Sequence, residues 1–399
     1  MRETGQVSAT EETTADRSVA WTSDALARGA VAAIDLDALR ANLARCREVT
    51  GDAAVMAVVK ADAYGHGLVP CGRAALEGGA TWLGTALLSE AVALREAGVG
   101  GRILAWLAVP GAPWADCLVR DIDVSVSALW ALDEVCDAVR ATGRPARVHL
   151  KADTGLSRNG ATPDDWPELV AAARVAEIEG LVTVTGLWSH FAIADVPRHP
   201  SVARQLTVFD EAVAVADAAG LRPEVRHLAN SAGALGVPRS RHDLVRVGIA
   251  MYGLSPGAEI GSAQELGLRP VMTLAARLAS VKRIAAGSGV SYGHAYTTVR
   301  DTTVGLVPLG YADGLPRSAA NVGPLRVAGA DRTVAGRVCM DQVIVDLGDD
   351  FAAPGDEVVI FGTGGPSADD WAAACGTIGY EIVTRIGPRV PRVPLGVTG

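Results

Sequence analysis

From residue 30 to about residue 256, short apolar runs alternate with amphipathic stretches of helical length. Runs at 54–59, 81–87, 102–107, 122–126, 146–150, 181–188, 224–228 and 244–251 read as strands. Their continuous apolar character suits strands covered on both faces. The stretches between them read as helices. One spans 68–77. One opens with Ser89 as its cap, and one is capped by Ser127 with Leu129, Leu132, Val135, Cys136 and Val139 on one face. Another opens with Thr162 as cap and Pro163 in the first turn. Such alternation predicts parallel strands joined by crossover helices. About eight units favour a closed TIM-like (β/α)8 barrel, although the pattern alone also permits an open sheet.

After residue 266 the texture changes. Short runs at 273–284, 302–309, 325–327, 342–347 and 357–361 are separated by Gly, Asp and Pro turns, with one helix at 367–375. That spacing predicts a mainly-β domain. The expected fold class is therefore α/β + β: a flexible tail at 1–29, a (β/α)8 barrel at 30–266 and a C-terminal β domain at 267–399. The tail is polar, with a short helix expected around 21–27.

Composition narrows the partners. A net charge of −9 argues against nucleic acid. No uncharged apolar stretch reaches the roughly 18–20 residues of a membrane span, and the tail lacks the apolar segment of a signal peptide. The six cysteines are scattered and form no CxxC pair, so neither a zinc site nor a disulfide framework is expected. No metal is expected, and a cytoplasmic location is.

Unusual polar residues recur where strands end, which is where a barrel carries its chemistry. Lys60 closes one strand, followed by Tyr64. Lys151 closes another, followed by Arg158. His190, then Asn230 with Ser231, then Arg246 with Gly248 and Ile249 mark three more. Singly, each has a bland reading as a solvated end, a packed ring or a helix cap. Together they supply an amine, a histidine, arginines and hydroxyl or amide donors. That set suits a carbonyl cofactor bearing a phosphate. A desolvated lysine can form a Schiff base, and backbone N–H groups near Gly248 and Ile249, with the Ser231 and Tyr64 hydroxyls, can hold a phosphate.

Nine motifs resemble, in order, those of bacterial alanine racemases. They are Val59-Lys-Ala-Asp-Ala-Tyr-Gly-His-Gly67, Lys151-Ala-Asp-Thr-Gly-Leu-Ser-Arg158, Ser189-His-Phe-Ala192, His227-Leu-Ala-Asn-Ser-Ala-Gly233 and Arg246-Val-Gly-Ile-Ala-Met-Tyr-Gly253. Then come Val290-Ser-Tyr-Gly293, Gly310-Tyr-Ala-Asp-Gly314, Gly336-Arg-Val-Cys-Met-Asp-Gln342 and Arg389-Val-Pro-Arg392. The resemblance implies a homodimer with shared active sites and pyridoxal 5′-phosphate held by Lys60. It implies Arg246 at the pyridine nitrogen, and Tyr64, Ser231, Gly248, Ile249 and Tyr380 at the phosphate. His190 and Asn230 also belong to this cofactor shell. Arg158 would meet the cofactor and the substrate carboxylate. Tyr292, Tyr311, Met340 and Asp341 would enter from the other subunit. Lys151 matches a lysine carbamylated in some members. Asp195, Arg317 and Arg337 match entrance residues. The sequence departs from the family pattern at Pro394, where an aromatic residue is usual, and at Ser89, where an acidic one is common.

The implied reaction interconverts L- and D-alanine, supplying D-alanine for peptidoglycan. Two bases on opposite faces are needed, with Lys60 on one and Tyr292 on the other. Tyr292 then needs cationic surroundings, expected from His190 and Arg158. Arg246, which has no acceptor, is expected to leave the ring nitrogen unprotonated and to suppress transamination. Rival readings are a broad-specificity racemase, a barrel decarboxylase on the same cofactor, and a non-catalytic cofactor-binding protein.

Overall fold

A computed structural model describes residues 21–396. Residues 1–20 of the expected 1–29 tail lie outside the described residues. Residues 21–29 contain a short helix, as expected around 21–27. Ser23–Arg28 is a helix capped by Thr22 and closed by Gly29 at φ 70°. Arg28 ties it down through the buried Asp313 carboxylate at 2.6 Å.

The first strand, β1 (Ala30–Asp35), does not join the barrel. It is apolar along its length, so its pattern could not say which sheet would cover it. The barrel runs through β2 (Ala54–Val58), β3 (Trp82–Leu87), β4 (Arg102–Leu107), β5 (Asp123–Val126), β6 (Ala146–Lys151), β7 (Val182–Trp188), β8 (Val225–His227) and β9 (Leu244–Val247). The eight are parallel, with β9 beside β2. Backbone bonds from Asp243 N to Arg226 O and from Arg246 N to Ala229 O, 3.2 and 3.0 Å, draw the β8 and β9 ends of the sheet together. The alternation along the chain thus gives the (β/α)8 barrel expected of it.

Residues two apart on a strand share a face. Arg147, His149 and Lys151 therefore climb one strand from the amino end of the barrel to its carboxyl end. Met56, Trp82, Leu104, Val225 and Leu244 form a buried apolar cluster of their own, made of strand residues. Each contributes roughly 1.5–3 kcal/mol relative to exposure.

Helix starts differ from expectation at three points. The helix after β3 begins at Leu88, so Ser89 lies inside it. The carboxylate of Glu90 takes the Ala86 and Leu87 N–H groups instead, both at 3.0 Å. The helix after β5 starts at Leu129 behind Ala128, with no side-chain cap from Ser127. The helix after β6 starts at Trp166, and Thr162 instead closes the preceding turn on Asp165 N.

The second domain has two main sheets. One, in spatial order, contains Ala330–Thr333, Pro324–Val327, Glu357–Phe361, β10 (Met272–Arg277), β1 and Arg392–Leu395. The other holds Ser280–Ile284, Thr302–Val307 and Val343–Gly348. The expected run at 273–284 is thus two strands in different sheets, broken at Leu278. The helix Ala368–Cys375 has Ser367 as its cap, and buried Trp371 donates to Ile360 O at 2.6 Å. A helix at Gly379–Thr384, which the sequence pattern did not reveal, carries Tyr380 towards the barrel.

Candidate active site

At the carboxyl end of the barrel, a cavity of about 720 Å³ is lined by Lys60, Tyr64, Lys151, Arg158, His190, Asn230, Ser231, Arg246, Gly248, Ile249 and Tyr380. These come from the ends of five strands and, in Tyr380, from the second domain. Trp188, Trp106 and Thr384 also line it and were not singled out from sequence. Among the described residues that line it, four are Lys or Arg and none is Asp or Glu.

Lys60 follows β2 and opens an unusual turn. Ala61, Asp62, Ala63 and Tyr64 hold φ near +50° and ψ between 36° and 54°, a left-handed helical turn. Each such residue costs about 1–2 kcal/mol. The turn is fastened on several sides. Glu90 Oε1 accepts Ala61 N–H at 2.6 Å, Asp62 Oδ1 accepts Leu68 N–H at 2.7 Å, and Arg392 Nε donates to Gly65 O at 3.0 Å. The buried His66 ring bonds the Ala63 and Tyr64 carbonyls, both at 3.0 Å. Strain of this kind, held by surrounding structure, is characteristic of functional sites. Burial, reinforced by the Arg158 charge, lowers the pKa of the Lys60 amine, which favours its nucleophilic form.

Lys151 ends β6 with its Nζ over the Trp188 ring. Burial first, then Arg246 and Arg158, pull its pKa down to about 7. Arg158 rides the next loop, whose turn is set by Asp153 Oδ1 accepting the N–H groups of Gly155, Leu156 and Ser157 at 2.9–3.1 Å. Arg246, buried on β9, donates to the carbonyls of Ser189, His227 and Leu228 at 2.8–3.0 Å. Its pKa falls to about 9 through burial and Arg158, so it stays charged at neutral pH.

His190 departs from expectation. Its Nδ1 faces Arg246 Nη2 at 3.1 Å, and burial together with Arg246 holds it well below the usual histidine pKa. A neutral imidazole supplies no cationic field.

At the other end of the cavity, Ser231 Oγ accepts the Gly248 N–H at 2.9 Å. Tyr64 packs on Tyr252 with ring centroids 4.8 Å apart and approaches Tyr380 at 6.2 Å. Glycine at 248 leaves room for the Tyr64 hydroxyl, since a Cβ there would lie 2.4 Å from it. The Asn230 side-chain oxygen caps the helix Ser231–Gly236 by accepting Gly233 N–H at 2.9 Å.

Tyr292, Tyr311, Met340 and Asp341 do not line this cavity. They sit on adjoining loops of the second domain. Ser291 Oγ donates to Arg337 O at 2.7 Å, and Tyr311 N–H donates to Cys339 O at 3.0 Å. Tyr292 is 69% exposed and Met340 53%. Arg317 and Arg337 are also exposed. Asp195 lines a neighbouring cavity of about 1280 Å³, which shares Ala192, Asn230 and Tyr380 with the first. That larger cavity has no lysine in its lining, so the amine chemistry belongs to the smaller one.

Among the described residues no helix is long and apolar enough to cross a membrane. Residues 34–256 match the family described as alanine racemase, N-terminal domain, and residues 271–394 match alanine racemase, C-terminal domain. An alanine racemase of Streptomyces coelicolor is 61% identical over 390 residues, 96% of this chain and 98% of that protein. The crystal structure of alanine racemase from D-cycloserine-producing Streptomyces lavendulae superposes with a TM-score of 0.91 at 58% identity, covering 92% of this chain and 97% of the other. The biosynthetic alanine racemase of Pseudomonas aeruginosa superposes at 0.81 with 37% identity, covering 92% and 99%.

Proposed function

The chain belongs to the alanine racemase family, isomerases that interconvert L- and D-alanine, and on that premise we propose that the cavity at the carboxyl end of the barrel is where it does so. The observation that carries this is the lining: four Lys or Arg side chains, two of them amines with a lowered pKa, and no carboxylate.

That lining fits pyridoxal 5′-phosphate, on which the family depends. Lys60 would hold it covalently. Tyr64, Ser231, Tyr380 and the backbone of Gly248 and Ile249, which line the cavity together, would hold its phosphate. His190 and Asn230 complete the wall, and Arg246 would face the ring nitrogen. When bound, the cofactor supplies an electron-withdrawing ring that stabilises the charge left as the α-proton departs.

The chain's own residues do the rest. Arg158 binds the substrate carboxylate and orients the α-carbon. Lys60, whose pKa burial lowers, takes or returns the α-proton on one face. Tyr292 of a second copy of the chain serves the opposite face; in its own chain it is exposed and does not line the cavity. Tyr311, Met340 and Asp341 arrive on the same patch and crowd the side-chain pocket to methyl size. Carbamylation of Lys151 would set a negative charge beside Arg158. In this reading the working form is a cytoplasmic homodimer, and its D-alanine goes to peptidoglycan.

The test is optical. Purified protein with added cofactor should drive both L-alanine and D-alanine to zero rotation, fast relative to serine and lysine, and Lys60→Ala should abolish this. Equal rates on lysine would make it a broad-specificity racemase. A cofactor-bound protein that leaves every rotation unchanged would overturn the proposal.

A further inference from the structure

Below Arg246 the barrel interior contains a polar chain that the reaction as described does not use. Arg246 Nη1 lies 3.1 Å from His227 Nδ1. His227 Nε2 lies 2.9 Å from His149 Nδ1. His149 Nε2 lies 3.4 Å from Asp123 Oδ2, with both side chains fully buried. Arg102 and Arg147 grip the same carboxylate at 2.8 and 2.6 Å from the amino end of the barrel.

The barrel is shaped around these rings. Trp188 stacks on His227 at 5.5 Å with an interplanar angle of 5°. Trp82 presents its edge to His149 at 5.2 Å. Gly186 on the neighbouring strand has no room for a side chain, because a Cβ would fall 2.2 Å from His149 Nδ1.

Donor and acceptor inventory fixes the direction of every bond. A guanidinium only donates, so His227 Nδ1 has to accept. A neutral His227 then carries its proton on Nε2, which points at His149 Nδ1. That atom must accept in turn, so the proton of His149 sits on Nε2, facing Asp123. A charged His149 would donate from Nδ1, force the His227 proton onto Nδ1, and set N–H against N–H at Arg246. Burial and the Arg246 charge keep His227 neutral, which agrees with this order.

We propose that Asp123, His149 and His227 are positioning residues for Arg246, a one-way polar chain through the barrel, hydrogen-bonded from His149 to Arg246 and ending in the 3.4 Å contact of His149 Nε2 with Asp123, that holds its guanidinium as a fixed donor facing the cofactor ring nitrogen. The part concerning the ring nitrogen rests on the reading of the cavity given above. Asp123 is the anion that sets the direction. It acts on the cationic cavity from the opposite end of the barrel, through two neutral imidazoles.

Asp123→Leu tests this. A leucine of similar size offers no acceptor to His149 Nε2, which lies 3.4 Å from Asp123 Oδ2 in the unsubstituted chain. The chain loses its fixed direction, His227 Nδ1 can be protonated, and Arg246 is pushed from its place. In the cofactor-loaded variant, kcat for racemisation should fall about tenfold or more with KM within about twofold. Pyruvate released per alanine racemised, the amino group staying on the cofactor, should rise at least tenfold. The ring-nitrogen resonance of 15N-labelled cofactor should move towards the protonated form. Glu224→Gln, which alters only the exposed second partner of Arg102, should leave all three readouts at wild type.

A measurement on the unsubstituted protein needs no variant to fold. In full-length chain with 15N-labelled histidine, long-range proton–nitrogen spectra should show Nε2–H on both His149 and His227, with or without cofactor. An Nδ1 proton on either ring would overturn the proposal. So would a folded Asp123→Leu with wild-type ring-nitrogen resonance and pyruvate ratio. Wild-type protein that fails to bind the cofactor would defeat the reading of the cavity alone, and the histidine spectra would still decide the chain.

Discussion

The Nζ of Lys151 sits 4.3 Å from the centre of the Trp188 ring, at the top of adjacent strands. The ring receives a cation on one side of a cavity that offers it no carboxylate. Arg246 approaches the same ring at 4.9 Å, so the ring borders two groups that repel each other.

That repulsion, with burial, has a pH signature. The Lys151 amine titrates at about 7 in the fold against 10.5 when exposed. Between these values the unfolded chain holds a proton that the folded chain lacks, so stability falls as pH drops from 10.5 towards 7. In carbonate-free buffer, Lys151→Met should remove this slope and stabilise the protein near pH 7 by on the order of a few kcal/mol. Denaturant titrations across that range check it; a slope unchanged by the substitution would contradict it.

A neutral amine near pH 7–8 should also take up carbon dioxide and release a proton. With 13C-bicarbonate at pH 8, a carbamate carbon resonance is expected in the wild type and none in Lys151→Met. Removing bicarbonate should raise KM for alanine with little change in dimerisation, because Arg158 loses its anionic neighbour.

Two single variants test the shared site together. Lys60→Ala and Tyr292→Phe should each lower activity by about 10²–10⁴-fold or more. Mixed and reassociated, half the dimers would be hybrids with one intact site, restoring about a quarter of wild-type activity. No recovery on mixing, with hybrid dimers confirmed by mass, would place Tyr292 outside the partner's site.

Gly248→Ala tests the phosphate end. The added Cβ would press on the Tyr64 hydroxyl from 2.4 Å. Overpacking of this kind costs about 1–3 kcal/mol. Pyridoxal phosphate affinity, read by equilibrium dialysis, should drop at least tenfold while far-ultraviolet circular dichroism stays native.

Much of the site was legible before any coordinates. Lys60, Lys151, Arg158, His190 and Ser231 each followed an apolar run and Arg246 lay within one, and closing eight such runs into a barrel puts their ends on one rim. Helix starts were less legible. Ser89 had the right residue type for a cap, but Glu90, one position later, reaches three backbone N–H groups. The charge state of His190 was misread for a related reason. A histidine motif names a titratable group, and its ionisation depends on burial and on Arg246, 56 positions away.

The sequence by itself determined the alternation of strands and helices, the change to a β domain and the family motifs. The first two follow from local periodicity, because an apolar run reports its own burial wherever it packs, whereas closure of the strands into a barrel was decided by their pairing. Only the tertiary structure decided the placement of β1 between β10 and Arg392–Leu395, the left-handed turn behind Lys60 and the chain from Asp123 to Arg246. Strand partners hundreds of residues apart, backbone strain and proton positions are set by the surroundings a residue meets after folding. A short apolar strand such as Ala30–Asp35 satisfies any sheet that covers both its faces. The direction of a hydrogen bond between two histidines is fixed only by what stands at the ends of the row.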